Sequence, residues 1–200
     1  MFRKVSATIA ALFLLPCLGM AQEGRSQLSV GFTGDFSRQS SGNGIVLDPT
    51  DSGGFLATYN FFYWQRQAIE LNYGHTSNSQ NYTFGGLSSP LNASIHEFTA
   101  AYVFAPFRAR KFSPYLMAGG GALAFNPKNA ANTVTPGAGS QTRGAFLYGA
   151  GVDYKLLRHV ALRLQYRGLG YKAPNFGVSA LSTGGWGHIA EPGVGIVFNF

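Results

Sequence analysis

Val160-Ala161-Leu162-Arg163-Leu164-Gln165-Tyr166-Arg167 is the stretch that decides the fold. Val160, Leu162, Leu164 and Tyr166 fall on one parity and Arg163, Gln165 and Arg167 on the other. In an extended chain, successive side chains point to opposite faces, so this segment is a strand with one apolar and one polar face.

The same alternation recurs along the chain. In 27–37, Leu28, Val30, Phe32 and Phe36 oppose Ser29, Gly31, Thr33, Asp35 and Ser37. Ile69, Leu71 and Tyr73 oppose Glu70, Asn72 and Gly74, and Phe98, Tyr102 and Phe104 oppose Glu97, Thr99 and Ala101. Phe146, Tyr148, Val152 and Tyr154 oppose Gly149, Gly151 and Asp153, while Val194, Ile196, Phe198 and Phe200 oppose Glu191, Gly193, Gly195 and Asn199. Two further strands, 55–63 and 115–125, leave their parity open, the second because Gly119-Gly120-Gly121 interrupts it. The total is eight strands.

Their connections alternate in length. Residues 38–53, 76–93, 126–141 and 168–186 are long and rich in Gly, Ser, Asn and Thr, whereas the breaks near Gln65, at 106–113 and at 157–159 are short. This pattern predicts an all-β, eight-stranded antiparallel up-and-down transmembrane barrel, each strand of about 10 residues crossing the apolar layer. Composition agrees, because only 12% of the 200 residues are charged while 46% are hydrophobic and 14% aromatic. An ordinary soluble domain carries about 25% charge. A soluble ligand-binding barrel of the lipocalin kind would need a charged exterior, and here the polar faces are mostly Gly, Ser, Thr, Asn and Ala. No later segment is long and apolar enough for a membrane helix. Aromatic residues gather where strands leave the layer: Tyr63, Trp64, Phe104, Tyr115, Tyr154 and Phe200 at one rim, and Tyr73, Phe125, Phe146, Tyr166 and Trp186 toward the other.

Residues 1–21 read as a cleavable signal peptide and 22–200 as the barrel domain. Arg3 and Lys4 precede an apolar stretch broken by Pro16, and Gly19-Met20-Ala21 forms a small-x-small cleavage site. Cys17 is the only cysteine and leaves with the leader, so no disulfide is expected; Pro16 before it and Leu18 after it disfavour lipid attachment there.

The stretch Phe112-Ser113-Pro114-Tyr115-Leu116-Met117-Ala118-Gly119-Gly120-Gly121 and the last strand Gly193-Val194-Gly195-Ile196-Val197-Phe198-Asn199-Phe200 resemble those of the small OmpA- and OmpX-like, porin-like outer-membrane barrels. The resemblance implies the outer membrane of a Gram-negative-type bacterium, with loops extracellular and both termini periplasmic. It implies outer-membrane lipid and lipopolysaccharide as surroundings. It also makes Phe198 and Phe200 the signal read by the barrel-assembly machinery. Nothing follows Phe200, so the peptidoglycan-binding domain of full-length OmpA proteins is not expected.

Function is less legible, because one scaffold hosts pores, adhesins and enzymes. Glu70, Glu97, Asp153, Arg163, Arg167 and Glu191 all lie on polar faces, and counting depth along the strands puts Arg163 level with Asp153 and Arg167 near Glu191, with Glu70 within reach across the barrel. These predict a lumen plugged by charge pairs; the alternative is a hydrated channel and a small diffusion pore. His75-Thr76-Ser77-Asn78 resembles the His-x-Ser-Asn site of lipid A deacylases, which would need a carboxylate, the next one being Glu97. The competing reading makes His75 an interfacial aromatic at a strand end and 76–80 the start of a polar loop. His96, His159 and His188 are isolated, so no metal site is expected, and neither Gly119-Gly120-Gly121 nor Gly42-Asn43-Gly44 precedes a helix that could receive a cofactor phosphate. A formal net charge of +7 comes from scattered residues, with only Arg108, Arg110 and Lys111 clustered, which is no nucleic-acid footprint. The favoured reading is a structural or surface-interaction barrel with no cofactor, whose extracellular ligand the sequence does not identify.

Overall fold

The computed structural model describes residues 25–107, 109, 111–128 and 138–200. The expected leader, residues 129–137 of one long connection, and Arg108 and Arg110 of a short one lie outside the described residues.

Among the described residues ten strands form: β1 (Ser26–Ser37), β2 (Ser40–Gly42), β3 (Ile45–Pro49), β4 (Ser52–Trp64), β5 (Gln67–Phe84), β6 (Leu87–Phe104), β7 (Phe112–Pro127), β8 (Gln141–Lys155), β9 (Val160–Lys172) and β10 (Trp186–Asn199). Eight of them, all but β2 and β3, make a closed antiparallel barrel in which each strand pairs with its neighbours in the chain and β1 pairs with β10. Closure leaves the wall without a free edge, and inter-strand bonds satisfy its backbone polar groups.

The alternation sorts side chains as the sequence predicts. Phe32, Leu71, Phe98, Leu164 and Ile196 point outward and are exposed, whereas Thr33, Asn72, Glu97, Arg163 and Val197 on the opposite parity are buried inside. The two open parities are resolved: Phe55 and Phe61 face outward from β4, while Tyr115, Met117, Leu123 and Phe125 of β7 face inward. Tyr115 at 5% exposure and Phe125 at 0% are therefore lumen residues and do not belong to the aromatic rims. The outward rim at the end with short turns keeps Tyr63, Trp64, Phe104 and Phe200, with Phe112 and Tyr154 in ring contact.

The larger departure from expectation concerns 38–53 and 76–93. Residues 76–84 and 87–93 continue the β5–β6 ladder from Ser77↔Ser94 to Phe84↔Leu87. A two-residue turn closes it at Gly85 and Gly86, with φ of +54° and +82°. Within 38–53, β2 and β3 form a second hairpin closed by Asn43 and Gly44, at φ +53° and +73°, and β3 pairs with the extended part of β5. Both turns need positive φ at two successive positions, which Gly and Asn supply at low cost. These segments are hairpins raised above the wall.

The aromatic part of the packed core gathers at this hairpin end, while Phe62, Ala68, Val103 and Ala105 extend the core toward the short turns. Leu47 of β3, Tyr82 of β5, Leu123 and Phe125 of β7, and Leu169 and Tyr171 of β9 are all buried. The β9–β10 connection folds into the same space, placing Phe176 and Leu181 in the core beside a 3-10 turn at Ser179–Leu181. The Tyr82 hydroxyl donates to the Pro174 carbonyl at 2.8 Å, and burial pushes that phenol well above its ordinary pKa, so it stays protonated. Gln141 holds the backbone N–H groups of Asn175 and Phe176 at 2.8 and 3.1 Å.

On the outer face, Gly170 stands opposite Phe146, whose ring occupies the space that a Cβ there would need. Gly170→Val should displace the ring and destabilise the barrel by about 1–3 kcal/mol. Unboiled samples run on gels after a temperature series would then lose compact mobility at a lower temperature than the unmodified protein; an unchanged series would remove this packing argument.

Candidate functional site: the charged lumen

Among the described residues two ion-pair clusters cross the lumen. In the first, β8 and β9 place Asp153 and Arg163 directly opposite each other in register. The Arg163 Nε and Nη2 donate to the two carboxylate oxygens of Asp153 at 2.7 and 2.9 Å, a fork-on-carboxylate geometry. Glu70, reaching from β5, lies 3.7 Å from Arg163 Nη1. The Tyr115 ring lies under the guanidinium, 4.9 Å from ring centroid to Cζ, and its hydroxyl donates to Gln165 at 3.1 Å.

In the second cluster, Arg167 pairs with Glu191, its register partner on β10, at 3.0 Å, and with Glu97 from β6 on the far wall. Thr99 donates to the same Glu97 oxygen at 2.7 Å, and nearby Asp35 accepts from Thr33 at 3.1 Å. Both arginines are almost wholly buried, at 2% and 0% exposure. Burying a cation is costly unless carboxylates surround it, and here each guanidinium meets two.

Glycine makes room for these large groups. Gly195 faces Arg163, Gly149 faces Arg167, and Gly74 faces Glu97, where a Cβ would approach the Glu97 carboxylate to 3.0 Å. Glycines on polar parities are thus the spatial counterpart of the charges. Tyr115 and Asp35 also belong to this interior, beside the six charged residues that the strand pattern marks. Asp35 was legible on the polar parity of its strand; Tyr115 was hidden by the glycine run that follows it.

The structure does not assemble the deacylase-like constellation. His75 lies on the outer face between Phe55 and His96, with ring centroids 6.0 and 4.6 Å away. Ser77 is engaged by Lys128 at 2.7 Å, and Glu97 points into the lumen, held by Arg167 and Thr99. The residues of 76–80 lie within β5 and open no loop. His96 meets the Tyr73 hydroxyl at 3.0 Å, His188 that of Tyr148 at 2.8 Å, and His159 the Asn199 carbonyl at 3.2 Å. Among the described residues no group of three or more His, Cys, Asp or Glu could hold a metal ion.

A family profile described as outer membrane protein beta-barrel domain matches residues 7–198. The chain belongs to that family. The outer-membrane barrel also resembles solved structures of the same architecture. OprG from Pseudomonas aeruginosa is 17% identical with a TM-score of 0.62 over 90% of this chain and 97% of that one. Neisserial surface protein A is 13% identical, TM-score 0.62, over 88% and 97%. Ail from Yersinia pestis, solved with the heparin analogue sucrose octasulfate, is 17% identical, TM-score 0.56, over 90% and 100%. At such identities the likeness is one of fold. No curated protein matches the barrel.

Arg167→Met should leave Glu97 and Glu191 facing each other uncompensated and cost about 3–5 kcal/mol. The triple variant Arg167→Met, Glu97→Gln, Glu191→Gln should recover much of that loss. Urea unfolding in lipid vesicles, followed by tryptophan fluorescence, checks both, and a single variant as stable as the unmodified barrel would show the cluster to be energetically idle.

Proposed function

We propose that this outer-membrane barrel is a closed, non-conducting scaffold with a structural or surface-interaction role. It holds its hairpin end outside the cell and both termini toward the periplasm. The observation that supports this reading is the double filling of the lumen: the Arg163 and Arg167 clusters cross its middle, and the Tyr82, Phe125, Tyr171 and Phe176 core closes the hairpin end. Ions would have to break buried charge pairs and then pass an apolar plug. What remains for function is the raised surface made by β2–β3, the β5–β6 hairpin and the β9–β10 connection, and binding commonly sits on such segments when a rigid scaffold holds them.

Arg38, Lys128 and Lys172 are exposed at that end. A sulfated saccharide such as the heparin analogue bound to Ail is therefore the first ligand class to test. The outward apolar band faces outer-membrane lipid and lipopolysaccharide. Phe198 and Phe200, on the outward parity of the strand that closes against β1, serve as the assembly signal.

Planar-bilayer recording should give no steady conductance for the unmodified barrel, and Arg163→Ala should introduce measurable leakage. A large stable conductance unchanged by Arg163→Ala would favour the pore. Trypsin added to intact cells should cut after Lys128 and spare Lys111 and Lys155 at the short-turn end; the reverse pattern would invert the orientation. Deleting Phe200 should lower the amount of barrel recovered from outer membranes by about tenfold, a free-energy difference near 1.4 kcal/mol if the step is equilibrium-controlled. Normal recovery would remove the assembly role.

A further inference from the structure

The short-turn end is open where the hairpin end is closed. A cavity of about 480 Å³ enters the barrel there and stops at the Arg163 layer, a size typical of small-molecule sites. Its lining is chemically graded. Lys155, at the end of β8, and Arg158, in the β8–β9 turn, contribute cationic groups, and Phe62 and Val103 contribute an apolar wall. Asn60 and Arg163 are almost wholly buried in the same lining, at 1% and 2% exposure.

The two buried groups have unused hydrogen-bonding capacity. Asn60 Oδ1 has no donor, and Arg163 Nη1, ion-paired with Glu70 at 3.7 Å, makes no hydrogen bond. A buried donor and a buried acceptor lining one cavity favour a group that both gives and takes a hydrogen bond, such as a hydroxyl. A further carboxylate at that depth would meet Asp153 and Glu70, so the anionic part of a ligand belongs by Lys155 and Arg158.

The charge around the opening has the same sense. Arg25, Arg66, Lys111, Lys155 and Arg158 all lie at this end among the described residues, and Arg163 already engages both Asp153 and Glu70. A concave site ringed by one sign of charge raises the local concentration of the opposite ion.

We propose that this vestibule binds a hydroxylated organic monoanion of sugar-acid size, its carboxylate held by Lys155 and Arg158 and a hydroxyl placed between Asn60 and Arg163. The proposal is one of binding, and it stands whether or not the barrel conducts and whichever end faces the periplasm.

The test is calorimetric titration of the full barrel in nanodiscs of zwitterionic lipid, which avoids sugar-headed detergents. Three probes are used: gluconate, hexanoate with the same charge but no hydroxyls, and uncharged glucose. Gluconate should bind with a Kd on the order of 1 mM or tighter, and hexanoate and glucose each at least about tenfold more weakly. Lys155→Gln combined with Arg158→Gln should weaken gluconate by about tenfold or more while leaving the thermal gel shift unchanged, and Asn60→Ala should narrow the gap between gluconate and hexanoate. No heat with gluconate, binding unchanged in the double variant, or hexanoate binding as well as gluconate would each overturn the proposal. Bilayer recording is a separate measurement, so failure here and failure of the non-conducting reading are told apart.

Discussion

A chain crossing hydrocarbon must satisfy every backbone N–H and C=O from within itself, and the rest of this structure follows from that requirement. Strands can meet it only by closing on themselves, which fixes the β1–β10 pairing. Closure by eight strands gives an interior just wide enough for side chains, so whatever the inward parity carries must fit together. Two arginines, the carboxylates around them and the glycines opposite them are one solution to that packing problem. Polar side chains that would be a liability on the outer face become the mortar of the inner one.

The wall was legible because a period of two survives wherever one face meets lipid. It failed as a guide in two places, each with a physical cause. Around Gly119-Gly120-Gly121 the side chains that would report parity are missing, so Tyr115 and Phe125 read as rim residues although both are interior. Above the apolar layer the outward Ser77, Ser79 and Asn81 of β5 are as polar as the inward Thr76, Asn78 and Gln80, and the contrast between parities vanishes along that stretch. Thr76, Asn78 and Gln80 then read as loop, although they are inward residues of a continuous ladder. Asn-Gly is a hairpin-turn dipeptide, as Asn43-Gly44 is here, but the three-residue β2 beside it is too short for periodicity to register.

The lumen charges were visible as isolated charges on polar parities, and neighbours in register, such as Asp153 and Arg163, follow from counting along adjacent strands. Contacts across the barrel are different. Glu97 reaches Arg167 from a strand 70 positions away in sequence, and nothing in a one-dimensional pattern ranks that partner above Asp35 or Glu70. The histidines illustrate the converse. His75 and Ser77 share a local spacing with a hydrolase site, yet the wall puts Glu97 on its other side, so short-range spacing alone misleads when successive residues face opposite media.

The seam between the first and last barrel strands also governs how such a molecule comes into being. Gln27 donates to Asn199 across 172 positions, and the neighbouring pairs of that ladder are nearly as remote. The hairpins can form locally and early, but the cylinder does not exist until the final segment arrives. Contacts of such long sequence separation are reached slowly, because the loop entropy is lost before they reward it. Until then β1 and β10 each present an unpaired edge that another unfinished sheet could recruit. The interval between synthesis of the last residue and formation of the seam therefore leaves two edges open to misassembly, and anything that guides that strand acts on the joint that closes the whole molecule.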